Sequence, residues 1–286
     1  MSLNNQPIKF GLVTGQHQLT WDQVRDQWLL GEELGFDQMY LFDHFTGLYG
    51  DQAGPCLEAS TLLAALARET ERVDIGVLVY GNTHRHPAIL AKEIVTIDHV
   101  SNGRAILGIG AGWNENEHRW YGWELPAPGP RIRMFDEAMT VITGLFNANE
   151  RFSFDGEFYT IDNAPFSPKP VGDMPILIGA KGKKNLRVVA KYADIWDGGG
   201  RTLAERQPRI EELKRACNEV GRDFNEIVQS QGYGASGLLD PNLEEVIREQ
   251  SAAGVSQFLF DMPITKEEQD QVRKIAKDIL PKFREG

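Results

Sequence analysis

Cysteine is scarce in this chain. Its 286 residues contain two, Cys56 and Cys217, which lie far apart and form no Cys-x-x-Cys unit. Such a pair supplies neither a disulfide framework nor a zinc or redox motif, and both thiols are expected to act as small buried hydrophobes. Long apolar runs are missing too: none approaches the roughly 18–20 residues needed to cross a bilayer. The opening MSLNNQPIKFGLV lacks the basic-then-apolar layout of a secretory signal, so a cytoplasmic location is expected. Positive charge is in deficit, 30 Lys and Arg against 41 Asp and Glu for a formal net charge of −11. That balance argues against nucleic acids and anionic membranes as partners. No glycine precedes Lys-Ser or Lys-Thr, which excludes a P-loop. Gly108 and Gly110 begin a dinucleotide fingerprint, but Trp113 stands where its third glycine belongs.

What is present points to one architecture. With 41% hydrophobic and 25% charged residues, the composition is that of a folded globular protein. Apolar runs alternate with helical patterns along the chain. IKFGLV (8–13) reads as a strand and 21–34 as an amphipathic helix stopped by Gly35. QMYLF (38–42) precedes a helix over 58–68, and VDIGVLVY (73–80) precedes one beginning at Pro87. AILGIG (105–110) leads to a helix over 131–146, MPILIG (174–179) to 183–193, and DIWD (194–197) to 203–220. EIVQSQGY (226–233) leads to 243–253, and SQFLFDM (256–262) to 267–283. Eight strand–helix pairs imply a parallel sheet closed as a (β/α)8 TIM barrel, in a single domain over residues 1–286. Two segments interrupt the alternation. Residues 113–130 read as a long loop after the fourth strand. Residues 150–172 read as a hairpin turning near Asp155-Gly156, before the fifth.

A barrel builds its active site at the C-terminal ends of its strands, and polar residues and glycines gather there. The second strand ends in Asp43 and His44. An Asp-His pair at a barrel mouth can tune an imidazole for proton transfer; equally, His44 can be a loop histidine bonded to a carbonyl. The fifth strand ends in IGAKGKKN. Lys181, Lys183 and Lys184 there flank a helix start, where each cation opposes the helix dipole by roughly 0.3–1 kcal/mol. An anion on the free N–H groups of Gly179 to Gly182 would remove the conflict, and phosphate is the usual occupant; the alternative is three solvated lysines. His84 and His86 have a metal-like spacing, but Pro87 reads better as the first residue of a helix, and no metal is expected.

Taken together, LFDHF, NTHRHPAILAKEIVTIDHVSNGRAILGIGAGWNENEH, FDGEFYTIDNAPFSPKPV and PILIGAKGKKNLRVVAKYADIWD resemble the luciferase-like monooxygenase superfamily. The nearest likeness is to its deazaflavin (coenzyme F420)-dependent oxidoreductases. The resemblance implies that His44 lies beside the ring, supported by Asp43, as the catalytic pair. It places a non-prolyl cis peptide at Leu78-Val79, against the back of the ring. Gly110, Ala111, Gly112 and Trp113 would line the ring and ribityl chain. Gly179, Ala180 and Gly182, with Lys181 and Lys183, would cradle the phosphate. One departure matters: members that oxidise sugar phosphates carry a catalytic Glu where Trp113 stands. Glu115 and Glu117 remain either loop residues or acid/base groups. The function implied is hydride transfer between F420 and a small organic substrate. The alternative is an FMN-dependent monooxygenase served by a reductase; a non-catalytic flavin-binding protein and a metal-dependent hydrolase fit less well. A homodimer is expected.

Overall fold

The apolar runs become strands whose residues are buried on both faces, as parallel strands covered by helices must be. A computed structural model describes residues 6–200 and 202–284 of the chain. Its strands are β1 (Lys9–Val13), β2 (Gln38–Leu41), β3 (Asp74–Val77), β4 (Tyr80–Gly81), β5 (Ala105–Gly110), β6 (Arg151–Asp155), β7 (Thr160–Pro165), β8 (Ile176–Gly179), β9 (Ile195–Asp197), β10 (Val228–Tyr233) and β11 (Val255–Asp261). Eight of them run parallel in the order β3-β2-β1-β11-β10-β9-β8-β5, and pairing of β3 with β5 closes the barrel. β4 resumes the third barrel strand beyond Val77 and pairs with the end of β5. Between β3 and β4 the Leu78-Val79 peptide is cis, at the position the resemblance gave.

Two clusters of buried side chains follow from strand alternation. Tyr40, Ile106, Leu177, Ile195 and Leu259 each come from a different strand and fill the barrel interior. Their strand neighbours, such as Met39, Leu107, Ile178, Trp196 and Phe258, join the larger core packed under the helices. Those helices are α1 (Trp21–Glu33), α2 (Ala59–Glu69), α3 (Pro87–Ser101), α4 (Glu115–Tyr121), α5 (Pro128–Asn147), α6 (Lys183–Tyr192), α7 (Leu203–Val220), α8 (Ala235–Leu238), α9 (Leu243–Ala252) and α10 (Lys266–Asp278). His86 caps α3 by accepting the Ala88 amide, with Pro87 as the first helical residue. His84 instead lies with its Nδ1 2.9 Å from Asp43 Oδ2, so the two histidines have separate partners. Cys217 is buried, whereas Cys56 is half-buried with its thiol 3.3 Å from the His44 carbonyl oxygen.

The segment read as one loop over 113–130 is instead largely helical. Asn114 caps α4 by accepting the amides of Asn116 and Glu117, and Gly122 ends it in the left-handed conformation at φ 74°. With seven residues, this helix is too short to declare itself by periodicity. The hairpin forms where expected: β6 and β7 pair antiparallel, and the Gly156 amide donates to the Tyr159 carbonyl at 3.0 Å. It is tied to α5 by Glu137, whose carboxylate accepts the amides of Glu157, Phe158 and Tyr159.

Candidate functional site

The short helix α4 changes the chemistry at the barrel mouth, because it drives Glu117 inward. Glu117 is completely buried. Its Oε1 accepts the Phe45 amide at 2.8 Å and the Thr46 amide at 3.3 Å, and its Oε2 lies 2.7 Å from Nδ1 of His44. Burial opposes ionisation of this carboxyl, but the His44 hydrogen bond and charge, followed by the two amides, hold it below the usual range. An ionised carboxylate only accepts. Nδ1 of His44 must therefore carry a proton, and in the neutral tautomer so fixed Nε2 is the acceptor.

This corrects the sequence expectation that Asp43 supports His44. Asp43 turns the other way and is itself buried. Its Oδ2 accepts the Gly81 amide at 2.8 Å, His84 Nδ1 at 2.9 Å and Arg85 Nη1 at 3.0 Å, while Oδ1 accepts Arg85 Nη2 at 2.9 Å. Burial would raise its pKa, but His84 and Arg85 outweigh that and lower it to about 2. Asp43 is thus a positioning residue. Through Gly81 it anchors the strand just beyond the cis peptide, and with Gly81 and His84 it lines the same cavity as His44.

A cavity lies between these groups, lined by His44, Leu78, Val79, Gly81, Gly112 and Trp113 among others. The Trp113 indole meets the His44 ring edge-on at 5.6 Å between centroids. Gly112 adopts φ +81°, and a Cβ there would stand 2.2 Å from Oγ1 of Thr83. At Gly110 a Cβ would come within 2.9 Å of Val79 Cγ2, and at Gly179 within 3.3 Å of Val79 Cγ1. Glycine at these positions leaves bare backbone beside the Val79 side chain. Ala111 is half-buried next to them.

The second part of the mouth is the start of α6. Gly182 caps this helix with no side-chain hydrogen bond, and the amides of Asn185 and Leu186 both return to its carbonyl. The first amides of any helix have no partner inside it, so the N–H groups of Gly182, Lys183 and Lys184 face outward. The expected cradle over Gly179 to Gly182 needs correction at Ala180. Its amide donates to the Asp197 carbonyl at 3.0 Å, a bond between neighbouring strand ends that leaves no N–H for an anion. Lys183 is 76% exposed and lies 3.1 Å from Glu212. The aliphatic end of Lys181 covers Gly199, where a Cβ would be 2.4 Å from its Cε.

Glu117, His84 and Arg85 are the functional groups that sequence reasoning left unassigned. The signal for Glu117 was available: Asn114 followed by acidic residues in the next turn is a helix start, and three residues on from its cap Glu117 lies in the first turn. Among the described residues, no group of three or more His, Cys, Asp and Glu side chains is arranged to hold a metal ion.

Comparison with known proteins adds the family. Residues 7–269 match the family model for luciferase-like monooxygenases. An F420-dependent glucose-6-phosphate dehydrogenase of Microbacterium testaceum is 34% identical over 189 residues, covering 66% of this chain and 55% of its own. Another, from Nakamurella multipartita, is 30% identical over 224 residues, covering 77% of this chain and 65% of its own. The chain thus spans between about half and two thirds of these relatives. A solved F420-dependent secondary alcohol dehydrogenase, in complex with an F420–acetone adduct, superposes with a TM-score of 0.85 at 19% identity. That match covers 98% of this chain and all of the other, a likeness of fold.

Proposed function

The chain belongs to the luciferase-like monooxygenase family, and from that premise we propose that it is an oxidoreductase using coenzyme F420 and a small organic substrate. The observation that carries this reading is the His44–Glu117 pair, which engages Nδ1 of an imidazole that lines the cavity at the barrel mouth. The names of its relatives favour F420 over FMN. The residues fit such a group. Gly110, Gly112 and Gly179 make room for the Val79 and Thr83 side chains at the wall, and the cavity over Leu78, Val79 and Gly112 is where a flat ring would lie. The uncapped start of α6, with Lys181, Lys183 and Lys184 around it, suits a phosphate.

When bound, F420 supplies a two-electron acceptor or donor of hydride. The protein's own part is proton handling and orientation. His44 Nε2 takes the proton of a substrate hydroxyl in oxidation and returns it in reduction, while the buried Glu117 carboxylate stabilises the imidazolium that forms. Asp43 keeps Gly81 and the neighbouring strand in place without touching the proton. Gly182, Lys183 and Lys184 hold the phosphate through amides and charge. The enzyme works as one barrel domain and as a cytoplasmic homodimer. The exposed Ile89 on α3, beside Ala64 and Ala88, offers an apolar face for that pairing.

Parallel calorimetric titrations with oxidised F420 and with FMN test the reading. A clear preference for F420 supports hydride transfer. Preference for FMN turns the assignment to oxygen-dependent chemistry with a reductase as partner, and binding of neither overturns it.

A further inference from the structure

The Asp43 and Glu117 carboxylates beside His44 are already paired. Asp43 is filled by Gly81, His84 and Arg85, and Glu117 by His44, Phe45 and Thr46. Arg85, the cation behind the cavity, grips Asp43 through two nitrogens and also lies 3.3 Å from Glu58 and 3.6 Å from Glu93. Among the described residues, no lysine or arginine lines the cavity itself. An anionic substrate group placed here would find no lysine or arginine, and a cationic one only carboxylates already filled by His84, Arg85 and His44, so either would lose its hydration without repayment.

Leu78 and Val79 form the wall that the cofactor ring would cover, and Asp43, His44, His84 and Asn114 line the cavity with groups already hydrogen-bonded to the protein. The remaining wall is Trp113, which is 63% exposed. Its backbone is pinned on both sides. Thr83, whose Oγ1 would clash with any side chain at Gly112, is held by the buried His118 at 2.7 Å. Asn114 on the other side is committed to capping α4. A largely uncovered indole, edge-on to the proton-handling imidazole, is a ready stacking surface.

Resting on the F420 reading above, we propose that Trp113 is the wall on which the substrate lies. The part of the substrate that reaches His44 is uncharged and planar, as in an aryl carbinol or its aryl ketone. A sugar phosphate is disfavoured, since its phosphate has no partner there.

Acetophenone and glucose 6-phosphate serve as probes, titrated calorimetrically into the chain with and without saturating F420. The parent should bind acetophenone measurably and glucose 6-phosphate far more weakly. Trp113→Ala should weaken acetophenone about tenfold, and Trp113→Phe, which keeps a planar ring, should recover most of that loss. F420 is titrated into each of the three proteins as well, so that a loss at the cofactor is read separately from the loss of acetophenone in the free chain, and matching melting curves verify that each is folded. Equal acetophenone affinity in parent and Trp113→Ala overturns the proposal, as does tighter binding of glucose 6-phosphate or no acetophenone binding in either condition. Failure of F420 to bind instead sinks the cofactor reading, and acetophenone binding to the free chain then decides the Trp113 proposal alone.

Discussion

His44 and Glu117 are 73 positions apart in sequence, yet Nδ1 of the one lies 2.7 Å from Oε2 of the other. Because the Glu117 carboxylate also accepts two backbone amides, it fixes which imidazole nitrogen carries the proton. Glu117→Gln should reverse that choice. The amide oxygen would stay with Phe45 and Thr46, and the NH2 group would then face Nδ1, forcing the proton onto Nε2. The ring can no longer accept a proton at the mouth. Alcohol oxidation should fall by about 10²- to 10⁴-fold, close to the loss expected for His44→Ala. F420 affinity should change by no more than about threefold if the pair acts on protons rather than on binding. Steady-state kinetics alongside F420 titration measure both quantities. A parallel fall in affinity would make the pair structural.

Asp43 has a different signature, in stability against pH. Its folded pKa of about 2 lies below the ordinary aspartate value of 3.8, so between these values the unfolded chain binds more protons than the folded one. Its contribution is complete above about pH 4 and is lost as the pH falls towards 2, amounting to roughly 2 kcal/mol in all. Asp43→Asn removes that dependence. The difference in stability between parent and variant should therefore be roughly 1 kcal/mol smaller at about pH 3 than at pH 5. Urea midpoints at the two pH values provide the comparison, and a constant difference would show that Asp43 is not held ionised by His84 and Arg85.

The contrast between these two acids explains how far the site was legible in the sequence. The eight strands, the mouth and His44 follow from apolar runs and their polar ends, because burial on both faces leaves a plain signal. Pairing Asp43 with His44 by adjacency misleads, since consecutive residues leaving a strand point to opposite sides. Asp43 reaches Gly81 at the end of the third barrel strand and His84 and Arg85 in the turn beyond it, while His44 reaches α4. Glu117 was obscured because its helix spans two turns among aromatic residues, where capping speaks more clearly than periodicity. The Ala180 amide shows a third kind of difficulty. Whether a strand-end N–H is free depends on the next strand, here through Asp197, and nothing local in IGAKGKKN discloses that bond.

Two glycines near the mouth should respond oppositely to alanine. A Cβ at Gly108 would stand 1.9 Å from the Val77 carbonyl oxygen, backbone that belongs to the closed barrel and cannot step aside. Gly108→Ala should cost about 3 kcal/mol or more, by overpacking between β3 and β5. At Gly182 a Cβ would meet nothing within 4 Å, and its φ of −89° is open to any residue. Gly182→Ala should cost about 1 kcal/mol or less, the loss of a tolerable cap. Thermal unfolding distinguishes them, and similar losses at the two sites would contradict the packing described at β5.

The lysines at the start of α6 should show opposing effects on folding and binding. Lys183 and Lys184 occupy the first turn, where the helix dipole disfavours cations. The Lys183 contact with Glu212 is exposed and offsets little of this. Lys183→Ala and Lys184→Ala should each stabilise the cofactor-free protein, by about 0.3–1 kcal/mol at low salt. Both variants should weaken F420 binding and flatten its dependence on salt, because the phosphate loses a charge partner. A dephosphorylated F420 analogue should bind parent and variants alike. Calorimetric melts of the free protein and titrations at two salt concentrations test both halves of the argument. Equal losses for F420 and its dephosphorylated analogue would remove the phosphate from this helix start, and unchanged melts would remove the dipole conflict from the account of why three lysines cluster there.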